Sequence, residues 1–184
     1  YDRPFRFVTE VYYKDLRRLV PYELDNVRVR YFGDNLARGY ATGIDLRING
    51  EFVNTLQSWA SLSLMRTREL VDNTFYRDAD GNQVPAGYIP RPTDQLAMFN
   101  VMFQDLLPSN PTYKVHLNVV YGSRLPFGPP DFDRGRDTLR MPPYRRVDIG
   151  FSKLIIGEGA KKPGEGWAKH IKSLWINAEV FNLL

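Results

Sequence analysis

Cysteine is absent from the 184 residues. That excludes disulfides and thiolate metal sites, and it suits an oxidising envelope without requiring one. Histidine is nearly absent: His116 and His170 fall in different stretches with no HExxH-type spacing, which argues against a zinc centre. The chain has no GxSxG elbow and no glycine-rich phosphate loop, so neither hydrolase nor nucleotide chemistry is expected, and no cofactor is called for. Charge of one sign is scarce too. A net charge of +4 scattered along the chain gives no footprint for nucleic acid. Long hydrophobic runs are missing: with a mean hydropathy of −0.40 and no stretch near the roughly 20 apolar residues of a spanning helix, a helical membrane bundle is excluded.

What is present is alternation. In residues 113–121, Tyr113, Val115, Leu117, Val119 and Tyr121 fall on one face, with Lys114, His116 and Asn118 on the other. Six further runs follow the same period of two: 5 to about 18, 39–49, 58–67, 95–106, 145–154 and 173–184. Aromatic residues make up 14% of the chain, with 11 Tyr and 11 Phe, and many stand at the ends of the apolar faces. A bilayer leaves free backbone N–H and C=O groups unsatisfied, so strands cross it only in a closed barrel, about 9 to 11 residues each. Aromatic girdles at the two headgroup levels belong to that architecture. The expected fold is therefore all-β, an antiparallel up-and-down transmembrane β-barrel of which about seven strands are present.

Period-two parity also sorts the charged residues. Glu10, Lys14, Asp45, Arg47, Lys114, His116, Arg146, Asp148 and Glu179 are expected on the water-facing wall, either paired across strands or lining a substrate path. Trp59 falls on that same side, as a lumen residue or one shifted by a bulge. Residues 27–32 either extend the first strand or form a hairpin, a short turn is expected at Asn49 and Gly50, and another at 108–111. Connections after the first, third and fifth runs are long, whereas those after the second and fourth are short. In outer-membrane barrels long loops face outward and short turns face the periplasm, so the odd runs climb outward. The connection at 157–172 is longer than its class, and its Lys161, Lys162, Gly164 and Gly166 suggest a flexible basic turn with Trp167 touching the interface. An odd strand count, a start at Tyr1 and a last strand running to Leu184 lead us to expect a piece of a larger barrel, with any targeting segment upstream.

Six stretches carry a family resemblance: residues 10–21 (EVYYKDLRRLVP), 40–50 (YATGIDLRING), 58–67 (SWASLSLMRT), 87–94 (GYIPRPTD), 122–130 (GSRLPFGPP) and 141–153 (MPPYRRVDIGFSK). In order and spacing the chain resembles the C-terminal barrel region of TonB-dependent outer-membrane receptors of the Bacteroidetes type. The resemblance implies a 22-stranded barrel in the bacterial outer membrane, closed by an N-terminal plug that contacts the TonB complex, and energised uptake of a scarce nutrient. Plug and TonB box lie outside these residues. The implied partners are outer-membrane lipid, the protein's own plug, the TonB complex and a surface lipoprotein.

The long loops hold Phe75, Tyr76, Tyr88, Phe127 and Phe132, which are candidates for stacking on a sugar or peptide or for closing their own loops. Asp78, Asp80, Gly81 and Asn82 look like the start of a calcium loop, but the position that demands Glu is Ile89, so an exposed turn is expected and no metal site. Two other readings stand beside the receptor: a soluble carbohydrate- or peptide-binding β-sandwich, and an outer-membrane barrel without a plug, either porin or hydrolase.

Overall fold

A computed structural model describes residues 5–25, 28–31, 33–53, 56–107, 109–127, 139–160 and 169–184. Seven long strands form one meandering antiparallel path: β1 (Phe5–Leu19), β4 (Ala37–Val53), β5 (Leu56–Val71), β9 (Ala97–Leu107), β10 (Asn110–Gly122), β13 (Tyr144–Ile156) and β14 (Leu174–Val180). Each pairs with its neighbour along the chain, so β1 and β14 are the two edges. Among the described residues no helix is long and apolar enough to cross a membrane, which says nothing of strands.

The long connections are structured. Between β1 and β4 lies the hairpin β2 (Tyr22–Asp25) and β3 (Arg28–Tyr31), so of the alternatives at 27–32 the described residues 28–31 form a hairpin arm. Between β5 and β9 lie the hairpin β6 (Phe75–Arg77) and β7 (Gln83–Pro85), then β8 (Ile89–Pro90), which returns to pair with β5. Between β10 and β13, β11 (Pro126–Phe127) pairs with β12 (Leu139–Arg140). All three leave the same end of the sheet, hereafter the loop end. The β4–β5 and β9–β10 connections are at the opposite, turn end.

Two sequence expectations are corrected, and the alternatives for Trp59 are narrowed to one. Asn49 and Gly50 do not turn: they pair with Trp59 and Ser58, and β4 continues to Val53. Trp59 is not displaced by a bulge, since its register with Asn49 and Met102 is regular, so parity places it on the polar face. The last strand stops at Val180 rather than Leu184. Asn182 takes a φ of 56°, a conformation that ends regular pairing, and its amide donates to Asp148 Oδ1 at 2.9 Å. Lys161, Lys162, Gly164, Gly166, Trp167 and Phe132 lie outside the described residues.

Register carries one apolar face across all seven strands. One row runs Phe7, Ile48, Ala60, Val101, Val119, Val147, and the next runs Phe103, Leu117, Ile149, Val180. The opposite face runs Arg6, Asn49, Trp59, Met102, Asn118, Asp148. Burial is inverted relative to a soluble domain, where apolar side chains fill the interior. Among the described residues only Ala37, Ile89 and Leu154 form a buried apolar set, whereas Val11 is 74% exposed and Phe7 66%. Asp148, Ser152, Thr67 and Glu69 on the polar face are buried. In β13 this appears as alternation, with Asp148, Gly150 and Ser152 enclosed and Phe151 open.

The apolar face has margins. Toward the turn end Phe5, Phe52 and Phe103 form a chain of edge contacts at 5.0 and 6.2 Å; toward the loop end Tyr13, Tyr40 and Tyr88 are linked at 6.2 and 5.7 Å. Along β1 the eight steps from Phe5 to Tyr13 span about 27 Å. With a tilt of roughly 40° that is about 20 Å of height, close to the roughly 25 Å apolar band of a spanning sheet.

Candidate functional site

Every charged residue that parity assigned to the water-facing wall lies on the polar face, and most meet a partner there. Glu10 stands opposite Asp45, whose carboxylate accepts a short hydrogen bond from Ser63 Oγ. Arg47 lies 5.9 Å from the Trp59 ring, Lys14 5.4 Å from that of Tyr12 and Lys114 6.0 Å from that of Trp175. These are cation–π distances, each contributing about 0.5–1 kcal/mol when exposed.

Asp148 is the hub. Its carboxylate accepts two hydrogen bonds from Arg146 Nε at 2.8 and 2.9 Å, one from Asn118 Nδ2 at 3.2 Å and one from the Asn182 amide. A buried carboxylate must be both paired and hydrogen-bonded, and these three donors do this. The network ties β10, β13 and the segment after β14 together. Beside it His116 Nε2 reaches Glu179 Oε1 at 3.2 Å, spanning β13 from β10 to β14. Only glycine allows that reach, because a Cβ on Gly150 would collide with the His116 imidazole. Gly150→Ala is expected to displace the ring, break the His116–Glu179 contact and cost about 1 to 2 kcal/mol, measured by denaturant unfolding of wild type and variant.

At the loop end the sequence reading missed a second polar cluster. β5 outlasts its pairing with β9, which ends at Leu64 and Ala97, so its last amides need other acceptors. Asp94 supplies one: its Oδ1 accepts from the Thr67 amide at 2.8 Å, and its Oδ2 accepts from Arg140 Nη2 at 2.6 Å. Arg140 Nη1 also donates to the carbonyls of Asp94 and Arg124, and Arg124 donates back to those of Arg140 and Met141. Glu69, buried on the same strand, pairs with Arg91 at 3.2 Å. The loops after β5 and β10 are thereby clasped. Asp94 ends the 87–94 stretch noted in the sequence, but its partner is 46 residues away and no local signal reveals it.

The described loop aromatics do not gather into one site. Phe75 and Tyr76 occupy the β6–β7 hairpin, and Phe127 lies in β11 opposite Leu139. Tyr88 instead leaves the loops and packs against Tyr40 on the sheet margin, placed there by Gly87, whose φ of +64° a side chain would resist. The 78–82 segment is a turn. Asp78 Oδ1 accepts from the amides of Asn82 at 2.8 Å and Asp80 at 3.0 Å, and no cluster of three acidic or histidine groups capable of holding a metal occurs among the described residues. The Asn82 amide above all, then the Asn82 side chain and the Asp80 amide, hold the Asp78 carboxyl below its usual value. A depressed carboxyl stabilises its turn above the unfolded value of about 3.9 and loses that contribution as pH falls through the lower folded value. Amide exchange at Gly81 and Asn82 is therefore expected to quicken in Asp78→Ala at neutral pH, and in wild type only well below pH 4.

No protein-family model, curated protein or solved structure matches the chain.

Proposed function

We propose that this chain is part of the wall and outer loops of a transmembrane β-barrel, and that the barrel is a TonB-dependent receptor importing a scarce nutrient across the outer membrane. The observation that supports the first step is the inverted face pattern: a seven-stranded sheet whose apolar face is open and margined by aromatics, while Asp148, Ser152, Thr67 and Glu69 on its polar face are buried. Lipid is the solvent that suits the first face, and a hydrated lumen suits the second. A sandwich would need a second sheet over the apolar face, and the described residues supply only small two-stranded hairpins.

The second step rests on the resemblance of the six stretches. In this reading the clasped loops face outward and take part in ligand capture, the polar wall scaffolds a plug, and uptake is driven through TonB. The test is nutrient accumulation by cells expressing the full-length protein, with and without collapse of the proton-motive force. Accumulation lost on de-energisation supports the receptor; uptake that persists would make the barrel a passive pore. Full-length protein found in the soluble fraction would instead favour the binding sandwich.

A further inference from the structure

The apolar face ends, on the loop side, in three arginines whose side chains no described residue pairs with. Arg66 and Arg68 stand two residues apart on β5, opposite Thr42 and Tyr40, and Arg38 stands on β4 opposite Leu70, diagonal to Arg68. Positions so related on one face lie roughly 7–8 Å apart. Among the described residues none of the three side chains has a hydrogen bond, ion pair or ring contact, whereas that of neighbouring Arg17 is already paired with Asp15 at 2.6 Å. Clustered like charges repel, so a sheet margin that carries three of them is built for an anion. The guanidinium fork matches phosphate geometry in a bidentate way. Tyr13, Tyr40 and Tyr88 flank the arginines as a connected row of rings, two of them stacked within 13° of parallel, a surface suited to the flat faces of sugar rings. Immediately toward the turn end the same face becomes apolar at Leu64 and Ile44, with Leu64 exposed.

Cation, ring and hydrocarbon thus follow one another in the order of an amphiphile's phosphate, sugar and acyl chain. We propose that Arg38, Arg66 and Arg68, with the tyrosine row, bind the headgroup of a phosphorylated glycolipid in the outward leaflet, its chains lying along the apolar face. The inference rests on the membrane reading above and adds to it a specific lipid site. The full-length protein, reconstituted in phosphatidylcholine nanodiscs, is offered lipid A or its dephosphorylated form, and retained glycolipid is counted by mass spectrometry. Wild type is expected to retain the phosphorylated form preferentially. Arg66→Gln and Arg68→Gln are expected to weaken retention singly, and the triple variant with Arg38→Gln by on the order of tenfold. Lys153→Gln, at the opposite margin, should change nothing. Single surface substitutions of this kind shift stability by only about 0.5 kcal/mol, so loss of binding in them does not report unfolding. Retention unchanged in all three variants, or equal for the dephosphorylated lipid, overturns the site. Displacement by free orthophosphate also overturns it, making the arginines a site for a soluble anion. Failure of the wild type to insert into the nanodiscs overturns the membrane reading itself, whereas insertion without lipid preference overturns only this inference.

Discussion

Leu117→Arg is expected to destabilise the protein in a bilayer by about 2 to 4 kcal/mol, the cost of a cation on the lipid face near mid-depth. Leu117 stands in the apolar row between Phe103 and Ile149, with Tyr113 and Tyr121 four residues away along β10 on either side. Leu46→Arg, between Thr9 and Leu62, should cost a similar amount. Asn100→Ala, one face over, should change stability by less than about 0.5 kcal/mol, because no partner depends on that side chain. Asn118→Ala removes one of three donors to Asp148 and should cost about 1 kcal/mol, leaving Arg146 and the Asn182 amide in place. Urea unfolding of the full-length protein in lipid vesicles measures all four. Polar-face changes as costly as Leu117→Arg would contradict the assignment of faces.

Arg140→Met is expected to cost about 3 kcal/mol, near the lower end of the range for removing one partner of a buried pair. Asp94 is fully buried and would keep its charge without a cation, whereas Arg140 is itself 22% exposed, which tempers the loss. Asp94→Asn should be milder. Its side-chain oxygen still accepts from the Thr67 amide, and although an NH2 replaces the oxygen that accepted from Arg140, so that this hydrogen bond is lost, no uncompensated carboxylate is left buried. The same substitutions should open the loops after β5 and β10 to protease together, because Arg140 joins the two. Cleavage confined to one loop in Arg140→Met would show that the clasp does not couple them.

The seven long strands were legible in the sequence because a half-apolar strand writes its burial at period two. Their ends were less so. β5 reads as finished at Thr67 because Arg66 and Arg68 interrupt the apolar side, yet it runs on to Val71, since charged residues belong at the margin of such a face. Asn49 and Gly50 have turn chemistry, but pairing with Trp59 and Ser58 on β5 overrides local preference. The apolar run at 181–184 looks like strand, and the backbone at Asn182 breaks it to satisfy Asp148. The short hairpins in the long loops are too brief to show a period. Parity alone is enough to group the charged residues of β1, β4, β10, β13 and β14 on one face of the sheet. The Asp94–Arg140 clasp did not follow, because it joins two loops whose proximity only the strand order creates.

The absence of cysteine makes the decisive measurement direct: single cysteines placed in turn at positions 114 to 119 of the full-length protein in membranes, each tested with a water-soluble maleimide and with a lipid-phase quencher of an attached fluorophore. The account predicts strict alternation, with 115, 117 and 119 reached from lipid and 114, 116 and 118 from water. Labelling of all six from water, or protection of 115, 117 and 119 from both phases, would contradict it, the latter being the signature of a dry protein core.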